Sequence, residues 1–237
     1  MLIRLLYQGL LKPMLLLGLS LLLVGCNDFN VRNLAKSDVD MIVDLHLAEL
    51  NQLNRQLLIK LYKRNPRELK KHPGNTIESR LRQVKLPPPG QQPNYRFAEL
   101  DNRVGEAALR LAFDADFRGD RVFALVVGIK SMLHASYSMK TELFLLDELN
   151  QQLLYNSARN LEIANWRLNN FRNNKGQLLL LSNGYQDGIA NLSFERLFGK
   201  MILIQDMMAK VVADRNNRTI NTVVHSVAST TFLPIPF

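Results

Sequence analysis

An all-α fold, with a helical N-terminal arm and a multi-helix bundle body, is what the sequence predicts. Three observations carry that prediction. Apolar residues recur three and four apart through several long stretches, the spacing of a buried helix face. Segment 122–129, with Val122, Val126, Val127 and Ile129, could read as a buried strand, but few other segments look like strands to pair with it. The composition, 47% hydrophobic and 22% charged, is that of an ordinary globular chain and argues against a disordered or polytopic membrane protein. At 237 residues there is room for one large domain or two small ones. A single cysteine, Cys26, excludes a disulfide scaffold and a cysteine-based zinc finger.

Setting residues 1–36 aside, the first element opens at Ser37, a candidate N-cap, with Asp38 and Asp40 placed to complement the helix dipole. Val39, Ile42, Val43, Leu47, Leu50, Leu53, Leu57 and Leu61 form one stripe to about Arg64, a helix ~40 Å long at 1.5 Å per residue. Pro66 is suited to start a shorter helix, where its missing N–H is not needed. Residues 37–85 make up the predicted arm. Residues 86–95 are the predicted linker, because Leu86-Pro87-Pro88-Pro89 and Pro93 cannot continue a helix and favour extended geometry.

The predicted main domain, 96–237, begins with a helix carrying Phe97, Leu100, Val104, Ala107, Ala108 and Leu111, ended by Gly119-Asp120. Segment 122–129 is assigned to a buried helix running to about Tyr137, with Gly128, Ser131 and Ala135 as a small-residue ridge for close packing. A long helix is expected over 145–169, with Leu146, Leu149, Leu153, Ala164 and Leu168 inward. Turns at 173–176, 183–184 and 187–188 flank 178–181, a short strand or a helical turn. Leu197, Met201, Ile204, Met207, Met208 and Val211 mark a helix over 194–213. One more helix is expected near 221–228. The apolar tail 232–237, broken by prolines, is expected to pack on the body or to meet a partner.

Residues 1–26 read as a targeting segment. Arg4 and Lys12 give it a positive start, and 14–25 is apolar apart from Ser20, shorter than the ~20 residues a spanning helix needs. It ends in Leu23-Val24-Gly25-Cys26, which resembles the lipobox of bacterial lipoproteins; the resemblance covers the leader alone. It implies a signal peptide over 1–25, cleavage between Gly25 and Cys26, and acylation of Cys26 on its thiol and its new amine, followed by a lipidated tether over 26–36. Several acyl chains together give stable anchoring. The absence of a second cysteine fits an oxidising envelope. In double-membrane bacteria, Asp directly after the cysteine favours the inner membrane. Here Asn27 comes first and Asp28 second, so the resemblance implies a lipid-anchored protein of the outer membrane facing the periplasm.

Charge is concentrated. Ten basic and only two acidic residues lie between Arg55 and Lys85, against 30 and 21 in the whole chain. Lys60, Lys63, Arg64, Arg67, Lys70 and Lys71 are the candidates for holding an anionic surface: anionic lipid, lipopolysaccharide phosphates or an acidic envelope protein. A solvated helix face accounts for the same charges. Nucleic acid is disfavoured, since the segment lacks interleaved aromatics beyond Tyr62.

Signatures of catalysis are missing: no nucleophile elbow, no zinc-protease helix, no phosphate-binding loop. No catalytic residue, metal site or cofactor is expected. Asp114-Ala115-Asp116-Phe117-Arg118-Gly119-Asp120 imitates the start of a calcium loop, but Leu125 stands where a bidentate glutamate is needed, so a helix-to-helix turn is expected. His46 and Glu49 are three apart on the opening helix, a spacing better explained by solvent or a hydrogen bond than by a metal. His134 and Ser138 are four apart, with no evident orienting carboxylate or oxyanion hole. The Asn65-Pro66 junction between helices is similar to one tetratricopeptide-type turn, without a second copy.

Arg159, Glu162, Asn165 and Trp166, on one long helix, are the candidates for a groove that takes a glycan or a peptide. The expected function is a non-enzymatic, membrane-anchored envelope module that binds or scaffolds a partner. The alternative is a periplasmic hydrolase of cell-wall material, with His134, Glu142 or Glu162 in acid–base roles.

Overall fold

The computed structural model describes residues 38–88, 91–141, 149–186, 189–217, 219–221 and 231–237. Among them are seven α-helices: α1 (Asp38–Arg64), α2 (Pro66–Leu69), α3 (Ile77–Gln83), α4 (Gly105–Ala112), α5 (Arg121–Ser136), α6 (Gln151–Asn170) and α7 (Ser193–Asn216). A 3₁₀ turn at Ala98–Leu100 and a short hairpin, β1 (Gly184–Gln186) with β2 (Ile189–Asn191), complete the elements. The fold is all-α, as the periodicity predicts.

The architecture is built around α5, all of whose residues are buried. A helix apolar on every side needs neighbours on every side, and α1, α4 and α6 supply them, while α7 packs along α6 and α1. Segment 122–129 is therefore helix, as assigned. The small-residue ridge operates where α5 meets α4. A Cβ on Gly128 would lie 2.8 Å from the backbone nitrogen of Leu109, so the two backbones touch only because that atom is absent. Ser131 Oγ accepts from Gly105 N at 2.8 Å and donates to Val127 O.

Carboxylates start the central helix. Asp120 is its N-cap, accepting from Phe123 N at 2.9 Å. Glu68 accepts from Arg121 N at 2.9 Å. Both place negative charge at the positive end of the helix dipole. Across the bundle, fully buried Gln205 of α7 accepts from Tyr137 Oη at 2.9 Å and donates to Ser136 Oγ and Ser157 Oγ at 3.1 and 2.7 Å. One carboxamide thus ties α7 to α6 and to the end of α5.

The N-terminal segment is not a separate arm. Leu47, Leu50, Leu53, Leu57, Leu58, Leu61 and Tyr62 of α1 lie in the same hydrophobic core as α5 and α7, and Ser37–Phe237 form one compact unit. The proline-rich stretch does not act as a spacer, because Pro93 and Tyr95 are themselves buried. Tyr95 packs edge-on against His134, ring centroids 5.6 Å apart. Within the α1 stripe Ile42 is an exception, 47% exposed.

The helix expected from Phe97 to Leu111 is broken. Asp101 and Asn102 take φ of +51° and +57° and Gly105 +51°, so the chain turns between the 3₁₀ turn and α4. The long helix begins at Gln151 instead of near 145. Asn150 caps it by accepting from Gln152 N and Leu153 N, and residues 142–148 lie outside those described. Segment 178–181 is neither strand nor helix, apart from a single bridge between Leu178 and Arg172. Of the expected turns at 183–184 and 187–188, the first gives way to strand, since Gly184 opens β1, which pairs antiparallel with β2, and 187–188 lie outside the described residues. The helix expected near 221–228 falls on residues outside the description, apart from Asn221, which is not helical. The tail packs on the body. Asn160 holds Leu233 at both backbone groups, 2.8 and 2.6 Å, and Phe232 and Ile235 are buried.

Candidate functional site

The amide-rich face of α6 and the start of α7 enclose a groove of about 470 Å³ lined by Glu162, Asn165, Trp166, Asn169, Asn170, Glu195 and Ile202. Helical geometry explains the α6 side, since residues three and four apart share a face. Glu195 organises the floor. Its Oε2 accepts from Asn165 Nδ2, and its Oε1 accepts from Asn169 Nδ2 at 2.9 Å and from Asn183 Nδ2 at 3.1 Å. Asn183 also donates to Asn169 Oδ1 at 3.1 Å, as does Ser182. The carboxamides are therefore fixed in orientation by one another, a preorganised polar network. Trp166 is half-buried, its ring edge-on to Phe171 with centroids 5.8 Å apart. Gly199 stands four residues after Glu195 and three before Ile202, on the same helical face, and a Cβ there would meet nothing within 4 Å. The α7 wall is thus low at that point.

Three of the four groove candidates, Glu162, Asn165 and Trp166, line this space. Arg159 is turned to structural work: it grips both oxygens of Asp206 on α7 at 3.0 and 2.8 Å and pairs with Glu162 at 3.1 Å. Sequence reasoning missed Asn169, Asn183 and Glu195. Asn169 continues the i, i+4 ladder from Asn165 and was within reach of the pattern. Asn183 and Glu195 arrive from other segments, and no local signal marks them.

The basic candidates do not form one uniform face. Lys63, Arg64 and Lys70 are exposed. Lys60 is half-buried over the Phe194 ring at 5.1 Å. Arg67 donates to Leu179 O at 3.0 Å and Lys71 to Gly119 O at 2.8 Å, and both lie beside buried Glu68. Neighbouring Arg80 has left the surface altogether, with 0% exposure, paired to Glu99 and Asp120.

His134 and Ser138 are not a catalytic pair. Ser138 is exposed beyond the helix end at φ +57°. Both ring nitrogens of His134 are buried without a partner among the described residues. Burial, then the charge of Lys130, lower the His134 pKa to about 3, so the ring is neutral at physiological pH. Glu142, Gly25 and Cys26 lie outside the described residues. No group of three metal-ligating side chains occurs among the described residues. In the calcium-loop-like segment the carbonyls of Asp114, Ala115 and Phe117, joined by that of Ala112 at the end of α4, accept from the Arg121 guanidinium. No described helix is long and apolar enough to cross a membrane.

Compared with known proteins, the chain matches no family model, no curated protein and no solved structure.

Proposed function

We propose that the chain is a lipid-anchored protein of the bacterial envelope, tethered through Cys26 to the outer membrane and facing the periplasm, whose helical body binds the glycan part of cell-wall material without cleaving it. The observation that carries the binding reading is the groove beside Trp166. An indole face offers apolar contact to a sugar ring, and fixed carboxamides offer paired donors and acceptors to hydroxyls. Binding is favoured over hydrolysis because both carboxylates lining the groove are engaged, Glu195 by three asparagines and Glu162 by Arg159. Hydrolysis of a glycosidic bond needs two carboxyl groups directed at the substrate.

Trp166 is the only tryptophan, so intrinsic fluorescence reports on the groove directly. Titration with soluble cell-wall muropeptides should shift its emission saturably, and the chain should sediment with purified cell-wall sacculi. Trp166→Ala should weaken sedimentation at least tenfold, and Gly199→Leu, which fills the low wall without touching the core, should do the same. Unchanged sedimentation of both variants sinks the groove reading. Release of reducing ends by the parent chain, lost in Glu162→Gln and Glu195→Gln, would establish the hydrolase instead. The anchor is tested separately. Cys26→Ser should abolish labelling by a fatty-acid analogue, and persistent labelling refutes the lipoprotein reading.

A further inference from the structure

Lys130 sits in the middle of α5 and is only 6% exposed. Its ammonium donates to Asn51 Oδ1 at 2.7 Å, and among the described residues no carboxylate pairs with it. Burial pulls its pKa from 10.5 to about 8, so at neutral pH the group remains mostly charged. A buried cation with no counter-charge is costly.

A pocket of about 220 Å³ opens beside this ammonium, between α1 and the end of α3. Arg55 and Lys85, both exposed, stand on its wall, and no Asp or Glu is among the described residues that line it. Three cations around one small space repel one another until an anion enters, and entry then turns each repulsion into attraction. A second orphan shares the pocket. Asn54 is 1% exposed and its Oδ1 has no partner among the described residues, while its Nδ2 points to Val126 O at 3.5 Å. An acceptor without a donor asks for a ligand that carries an O–H as well as negative oxygens. Hydrogen phosphate and protonated phosphomonoesters have both; sulfate and carboxylates at neutral pH have no such proton. Three separated cations also match the divergent oxygens of a tetrahedral group better than the two of a carboxylate.

We propose that this pocket binds a phosphate group, as the free ion or as a phosphomonoester, held by Lys130, Arg55 and Lys85 with Asn54 accepting the phosphate O–H. The site is independent of the Trp166 groove and shares no residue with it.

Isothermal titration calorimetry of the full chain in detergent at pH 7 tests the assignment, with inorganic phosphate, sulfate and short-chain phosphatidic acid as probes. One phosphate group should bind per chain, at least tenfold more tightly than sulfate. Lys130→Met, which keeps the side-chain volume, should weaken binding at least tenfold. Arg55→Gln, at an exposed position that cannot disturb the core, should weaken it about threefold or more. Binding of inorganic phosphate supports a soluble ligand. Binding of phosphatidic acid alone supports a lipid headgroup as the source of the same chemistry. The proposal is overturned if neither probe binds saturably, if sulfate binds as tightly as phosphate, or if Arg55→Gln and Lys130→Met both bind like the parent.

Discussion

Arg80 and Lys130 are both basic side chains withdrawn from solvent, yet their surroundings differ. Arg80 meets Glu99 through two hydrogen bonds, Asp120 at 3.2 Å, Gln83 at 3.1 Å and the face of Phe123 at 3.9 Å. Burial opposes its charge, but Glu99 and Asp120 outweigh that effect and its pKa is raised. Asp120 is itself held by Tyr62 Oη at 2.7 Å and caps α5. Lys130 has a single carboxamide partner and a depressed pKa. A buried charge compensated from within fixes the elements around it. One that lacks internal compensation sheds its proton more readily or draws an anion from outside.

The largest expected effect separates the two. Arg80→Met leaves buried Asp120 without its cation and Glu99 with His72 as its remaining basic partner, and should cost about 3–5 kcal/mol in urea unfolding. Lys130→Met removes an uncompensated charge and should leave stability at neutral pH unchanged or raised. Equal losses in the two variants would erase the distinction.

Proton linkage gives the next largest effect. Folded Lys130 releases its proton near pH 8, whereas the unfolded side chain does so near 10.5. Between those values the unfolded chain binds more protons, so stability should rise with pH, by at most about 1.4 kcal/mol per unit. Lys130→Met should lack this rise. His134 acts in a lower window. Its pKa is about 3 folded and 6.5 unfolded, so its contribution is complete above pH 6.5 and is lost as pH falls toward 3. His134→Gln should flatten the acid limb of the stability profile without changing the alkaline one.

The smallest effect sharpens the comparison within the basic segment. Lys63 and Lys70 are exposed, so Lys63→Gln and Lys70→Gln should each shift stability by less than about 0.5 kcal/mol. A larger change would show that exposed cations of that run carry structure as well as the buried Arg80.

These contrasts also explain what was legible in the sequence. The leucine stripe of α1, the proline start of α2, the apolar run of α5 and the Met-rich face of α7 are local patterns, and each became a helix. Charge counting failed for Arg80 because a count carries no phase. Ile77 stands three residues before Arg80 and Val84 four after it, and that spacing turns Arg80 inward with them. Lys130 interrupts an otherwise apolar run, a visible sign of a buried cation that the sequence reading did not use. The arm was misjudged because prolines say that a helix stops, not that the chain leaves the core. In the groove, Glu162, Asn165 and Trp166 were legible as one helix face. Glu195 and Asn183 reach it only through the packing of α7 on α6 and the path of the 178–183 loop, which nothing local encodes.

The turn between α4 and α5 carries a wider consequence. Its carbonyls converge as they would on a metal ion, but the guanidinium of Arg121 occupies their centre, hydrogen bonding to Ala112 O at 3.0 Å, Ala115 O at 3.1 Å and Phe117 O at 2.8 Å, and to Asp114 O. The ion is covalently part of the chain. It cannot be diluted, chelated or exchanged, and its effective concentration is set by the fold itself. The turn thus draws its organising charge from within the chain and not from solution.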